Sequence, residues 1–139
     1  MLFPKKVKHR KWHTMRKNPN KVGPATRGVN VSFGSYGLKA LTPGRITSNQ
    51  IESARKAIIR NLGKTGRVWI RIFPDMPFTK KPAEVKMGKG KGDIQGYHVR
   101  VLAGQVLFEA DGVAPVVAIE SLRKGGTKIP VKTKIVTRH

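Results

Sequence analysis

Thr47-Ser48-Asn49-Gln50-Ile51-Glu52-Ser53-Ala54-Arg55-Lys56-Ala57-Ile58-Ile59-Arg60-Asn61-Leu62-Gly63 is the clearest helix in the chain. Thr47 and Gln50 have the spacing of a capping box, in which side chain and backbone satisfy each other reciprocally; Asn49 with Glu52 offers a second register. Ile51, Ala54, Ile58 and Leu62 recur at helical spacing and predict one buried stripe, and Gly63 supplies the stop. The opposite face carries Arg55, Lys56 and Arg60, with Lys64 just beyond and Glu52 as the lone acid. Solvated helix faces usually mix both signs. A face this one-sided suits a helix lying between a core and a phosphate backbone.

Gly63-Lys64-Thr65 has the look of a phosphate-binding P-loop end, but it fails that reading twice. Ile58 stands where the motif needs its first glycine, and the motif opens a helix whereas this one closes it. Downstream, Arg67 to Phe73 reads as a strand, with Val68, Ile70 and Ile72 on one face and Trp69, Arg71 and Phe73 on the other. Pro74 ends it, and Pro77 and Pro82 stiffen an extended segment made basic by Lys80 and Lys81.

That segment leads into Lys86-Met87-Gly88-Lys89-Gly90-Lys91-Gly92, where glycine and lysine alternate with no acid until Asp93. Without a Cβ the backbone can approach another molecule closely, and each lysine adds a compact point charge suited to phosphate. With no apolar period the run cannot be core. Taken alone the run reads as a solvated surface loop, and with the basic chain around it as a loop that reaches into nucleic acid, held at its base by strands on both sides. Tyr97 to Leu102 and Gln105 to Ala110 read as two strands joined in a hairpin at Ala103-Gly104. Pro115 suits the first turn of a second helix, for which Val116, Ile119 and Leu122 predict a buried stripe, ended by Arg123-Lys124-Gly125-Gly126. Ile129 to Val136 forms a last strand, Val131, Thr133 and Ile135 alternating with Lys132 and Lys134.

Upstream of the first helix, Val29, Val31 and Phe33 alternate with Asn30 and Ser32 and predict a strand, continued by Leu38 and Leu41 to the turn at Thr42-Pro43-Gly44. Residues 1–28 read as a basic extended arm holding Lys5, Lys6, Lys8, Arg10, Lys11 and Arg16, with no acid before Glu52. Such a segment cannot bury enough surface to fold alone and is expected to order on a partner. Trp12 among these cations can stack on a base or ribose, or pack back on the domain. His9 and His13 have helical metal spacing, but cations surround them and no third ligand is evident. Residues 29–139 are expected to form one domain, with a protruding loop over about 74–96.

The whole chain carries 29 Lys+Arg against 7 Asp+Glu, a net charge of +22 in 139 residues. A compact domain so charged repels itself, and a polyanion relieves it. Absence of cysteine removes disulfides, thiolate zinc sites and cysteine nucleophiles. Of the seven acids only Glu109 and Asp111 lie close in sequence, before Gly112, and they read as turn chemistry. His98 on its strand reads as packed or RNA-facing. No Ser/His/Asp order stands out, and Gly88, Gly90 and Gly92 follow a G-x-G-x-G pattern without an opening helix. No enzyme and no cofactor is expected.

Several blocks in order resemble one family: Met1-Leu2-x-Pro4-Lys5, Val31 to Leu41, Gln50-Ile51-Glu52-x-Ala54-Arg55, Trp69 to Pro77, Lys81 to Gly92, and Val106 to Val113. The chain resembles bacterial-type large-subunit ribosomal protein sixteen, whose archaeal and eukaryotic relatives are called ten or ten-e. The resemblance implies an α+β fold, a two-layer α/β sandwich with a mostly antiparallel or mixed sheet and two helices on one face. It implies a structural, rRNA-binding constituent of the large subunit near the A site, incorporated late in assembly. Lys5, Lys6, Lys8, Arg10, Lys11, Trp12, Arg16, Arg55, Lys56, Arg60, Lys80 and Lys81 would meet rRNA. Lys86, Met87, Gly88, Lys89, Gly90, Lys91 and Gly92 would approach the peptidyl-transferase region.

Implied partners are large-subunit rRNA, A- and P-site tRNA and neighbouring large-subunit proteins, with neither membrane nor self-association. The implied location is the bacterial cytoplasm, or alternatively an organelle ribosome. A non-specific DNA-binding architectural protein is the competing reading. Three departures stand out: a longer stretch around Lys17 to Ala25, Lys86 where many members carry arginine, and Arg123 to Gly126 in place of an alanine-rich helix end, which suggests a shorter second helix.

Overall fold

The capping box closes as its spacing predicts. In the computed structural model, which describes residues 2–12, 22–81, 88 and 90–138, the first helix α1 (Ser48–Leu62) is capped by Thr47. The Gln50 amide donates to Thr47 Oγ1 at 3.3 Å, and the Thr47 amide donates to Gln50 Oε1 at 2.9 Å. Ile51, Ala54, Ile58 and Leu62 are all buried, and Gly63, at φ +79°, ends the helix with its amide on Ile59 O.

Around α1 the chain runs β1 (Tyr36–Ala40), β2 (Gly44–Thr47), α1, β3 (Arg67–Ile70), β4 (Met76–Thr79), β5 (Ile94–Val101), β6 (Val106–Asp111), α2 (Pro115–Gly126) and β7 (Thr133–Thr137). The fold is α+β. Its strands form two sheets, of order β3-β6-β1-β7 and β2-β5-β4, with every pairing antiparallel. Both helices pack on the four-stranded sheet and on each other, and α1 also reaches β2 and β5 of the smaller sheet. Leu38, Phe108, Ile46, Val101, Ile58 and Leu122 lie in the resulting core.

The hairpin expected at Ala103-Gly104 is a turn between sheets. Gly104 has φ +95° and the chain does reverse there, but β5 is already flanked by β2 and β4, and β6 by β3 and β1. Neither strand has an edge left for the other. β2 carries no strand signal of its own in the sequence, being four residues wedged between a turn and a helix cap. Within 74–96, Met76–Thr79 and Ile94–Gly96 are paired strand; Pro77 is tolerated because β4 lies at the sheet's edge.

Val29 to Phe33 is not a strand. The amides of Ser32, Phe33 and Gly34 converge on one carboxylate oxygen, Glu109 Oε1, at 2.8, 2.8 and 3.1 Å, whereas a strand would alternate them. Val31 is accordingly buried while Phe33 stays 57% exposed. Glu109 itself is 0% exposed and also takes Arg71 Nη1 on Oε2 at 2.5 Å. It is a buried anchor rather than turn chemistry.

The second helix also differs from expectation. Its buried residues are Ala118, Ser121, Leu122 and Gly125, leaving Val116 at 78% exposure and Ile119 exposed. Small residues win this face because α1 lies so close: a Cβ on Gly125 would sit 2.5 Å from Ile58 Cγ1. The helix runs for 12 residues and ends at Gly126, where the Arg123-Lys124-Gly125-Gly126 stretch predicts its stop.

Candidate nucleic-acid interface

The structure sorts the candidate contact residues into two groups. On α1, the buried stripe turns Lys56 and Arg60 to solvent, both exposed. Arg55 is half-buried and paired with Glu52, Nε to Oε2 at 3.1 Å, and this hydrogen bond holds the Glu52 carboxyl below its ordinary range. By charge alone the three cations are equivalent; the i,i+3 spacing of Glu52 and Arg55 is the signal that they are not. Only two further ion pairs, Arg71–Glu109 and Arg123–Glu120, form among the described residues, so most of the cationic charge is uncompensated.

The second group joins the arm to the Gly/Lys loop. Lys11 Nζ donates to Lys91 O at 3.2 Å, and Lys91 Nζ donates back to Trp12 O, so residues about 80 apart in the chain meet here. Lys5, Lys6, Lys8 and Arg10 are exposed along the same arm. Lys81 Nζ donates to Gly88 O, and Lys80 N to Asp93 O, closing the loop's base. A Cβ on Gly92 would lie 3.0 Å from Lys81 Cγ and 3.2 Å from the Lys80 carbonyl, so glycine is what lets the two sides meet. Gly88 and Gly90 sit at φ +106° and +92°, a backbone that glycine adopts without strain. Arg16, Lys86, Met87 and Lys89 lie outside the described residues, as do His13 and Pro82.

Trp12 lines an open cavity with Phe78, Arg45 and His98 and stays 39% exposed. Beneath it lies the outer face of the smaller sheet, where the β2–β5 register sets Arg45 opposite Arg100 and Thr47 opposite His98. His98 is 3% exposed and rests against Phe78, ring centroids 5.6 Å apart. Its burial, reinforced by Arg45 and Arg100, pushes the imidazole pKa below the ordinary value, which leaves it neutral at pH 7. Arg45 and Phe78 do not stand out as contact residues in the sequence, since only pairing between strands sets them on one face with His98.

Such an arrangement, with aromatic rings and unpaired cations around an α+β core, defines a basic module suited to a polyanion. The sequence model of the family described as "Ribosomal protein L16p/L10e" matches residues 4–136. The chain is 52% identical over 139 residues to the large ribosomal subunit protein uL16 of Paracoccus denitrificans (strain Pd 1222), covering 100% of this chain and 98% of that one. It is 54% identical over 138 residues to the uL16 of Acidiphilium cryptum (strain JF-5), at 99% and 97% coverage, and 52% identical over 139 residues to that of Fervidobacterium nodosum (strain ATCC 35602 / DSM 5306 / Rt17-B1), at 100% and 95%. The chain belongs to the ribosomal protein L16p/L10e family. No helix among the described residues is long and apolar enough to cross a membrane.

Proposed function

We propose that this chain is a structural constituent of the large ribosomal subunit, in the cytoplasmic ribosome, and binds large-subunit rRNA through two cationic surfaces. The observation that carries the reading is full-length identity of 52–54% to proteins named for that subunit. The exposed Lys56 and Arg60 of α1 form one surface; the arm from Lys5 to Trp12, with Arg16, Lys80 and Lys81, forms the other. Residues 1–28 serve as the arm and 29–139 as the domain. Lysines and arginines neutralise phosphates and release counterions, while the rigid sheets fix where the loop points. Shape and backbone contacts outweigh base reading, because A-form grooves hide base edges.

The loop Lys86 to Gly92 reaches toward the peptidyl-transferase region and A- and P-site tRNA, and the protein joins late in subunit assembly beside neighbouring ribosomal proteins. Support comes from the residues themselves: Lys91 and Gly92 end a loop braced at Lys80 and Lys81 and latched to the arm. The protein contributes position and charge, not catalysis.

Replacing Lys56 and Arg60 together with alanine tests the first surface. The double variant is expected to bind a large-subunit rRNA fragment more weakly, and the slope of log K against log salt should shrink by about 2, one for each phosphate no longer neutralised. Filter binding across a salt series reads both. An unchanged slope would remove α1 from the RNA face.

A further inference from the structure

We infer that the open cavity lined by Trp12, Phe78, Arg45, Lys91 and His98 is a receptor for one unstacked nucleotide of RNA. It measures about 320 Å³ and lies between the outer face of the β2-β5-β4 sheet, the arm and the Gly/Lys loop. Cavities that hold small organic groups begin at about 300 Å³, so a single nucleotide is the right order of size.

Three independent features point to that occupant. His98 lines the cavity, and its Nε2 is buried with no hydrogen-bond partner among the described residues. Buried polar atoms are almost always paired, so an orphan on a residue that lines a cavity calls for a partner that an occupant can supply. A neutral imidazole nitrogen suits the mixed donors and acceptors of a base edge, whichever tautomer is present.

Arg45 faces Arg100 directly across the β2–β5 register, and neither takes part in an ion pair among the described residues. Like charges placed opposite one another oppose the pairing of their strands unless an anion lies between or beside them. A phosphate supplies it. Trp12 and Phe78 add aromatic surface on the same cavity, the part of the site that a bare phosphate would leave unused and a base would stack upon. Lys91 holds the Trp12 backbone in place through its carbonyl and itself lines the receptor on that side.

This inference rests on the rRNA-binding reading and assigns it a specific base-capturing point. The test uses native large subunits, dialysed against nucleotide-free buffer and irradiated at short wavelength. They are then digested with ribonuclease and protease, and nucleotide adducts are located on the peptides by mass spectrometry. The result expected is an adduct on Trp12 or Phe78 in the parental chain, abolished in both His98→Phe and Arg45→Ala while each variant still sediments with the subunit. Arg45 is exposed, so its variant keeps the test open if His98→Phe fails to fold.

Adducts on other residues of the chain with none on Trp12 or Phe78 would overturn the receptor and leave the rRNA reading standing. So would an adduct unchanged in both variants. An adduct seen only before dialysis would mean a free nucleotide and overturn RNA as the source. A parental chain absent from the large subunit would overturn the rRNA reading itself.

Discussion

Glu109→Ala is expected to destabilise the domain by about 3–5 kcal/mol, the usual range when one partner of a buried ion pair is removed. Four donors lose their acceptor at once: the amides of Ser32, Phe33 and Gly34, and Arg71. Among the described residues the Arg71 guanidinium would then keep the Asn30 carbonyl, at 3.2 Å, and its place over the Phe33 ring, 5.1 Å from the centroid. Against a total stability of about 5–15 kcal/mol the loss is severe. It is measured as a fall in the urea midpoint with the slope unchanged. Because the partners act as a unit, Arg71→Ala added to Glu109→Ala should cost less than the two losses summed.

The same cluster gives a pH dependence. Burial pushes the Glu109 carboxyl up, but hydrogen bonds from Arg71 and the Gly34, Phe33 and Ser32 amides outweigh it, and the net pKa is lowered. The unfolded chain therefore takes up this proton at higher pH than the native one. The contribution is whole above about pH 4.3, the ordinary glutamate value, and is lost as pH falls from there through the lower native value. Acid unfolding of Glu109→Gln should lack this component. If the parental protein and the variant lose stability in parallel below that pH, the clamp is not what acid breaks.

Phe108→Ala is expected to cost about 3–5 kcal/mol, as large aromatic truncations in cores do. Phe108 is fully buried in β6, with Leu38 of β1 on one side and Ile70 of β3 on the other in register. It thus ties three of the four strands in the sheet on which both helices rest. Urea unfolding checks the value. A change within about 0.5 kcal/mol, the scale of surface substitutions, would mean that this row is not where the domain is held together.

Local patterns were legible wherever one face of an element meets one environment. α1 could be read to its caps because Thr47, Gln50 and the Ile51-Ala54-Ile58-Leu62 stripe depend on neighbours within four residues. Alternation likewise placed Val68 and Ile70 inward, against the core. What sequence could not show was competition between partners. The Val29 to Phe33 alternation looks like a strand until Glu109, some 75–77 positions away, collects the amides. A lone glutamate inside the apolar run Val106-Leu107-Phe108-Glu109-Ala110 was the available clue.

In α2 the bulkier residues suggested the buried face, but the proximity of α1 selected Ala118, Ser121 and Gly125 instead. The candidate interface divides the same way. Its cations were visible from charge alone, because a run without acids needs no folding to be read. The meeting of Trp12 and Lys91 with Arg45 and His98 was hidden, since an arm, a loop and two strands must come together to make it.

The most direct test of the proposed function is to sediment a native lysate at low magnesium, where ribosomal subunits separate, and to probe the fractions for this chain. A single peak with the large subunit that survives a moderate-salt wash is the predicted result. A chain that stays at the top of the gradient, or travels with DNA, would contradict it.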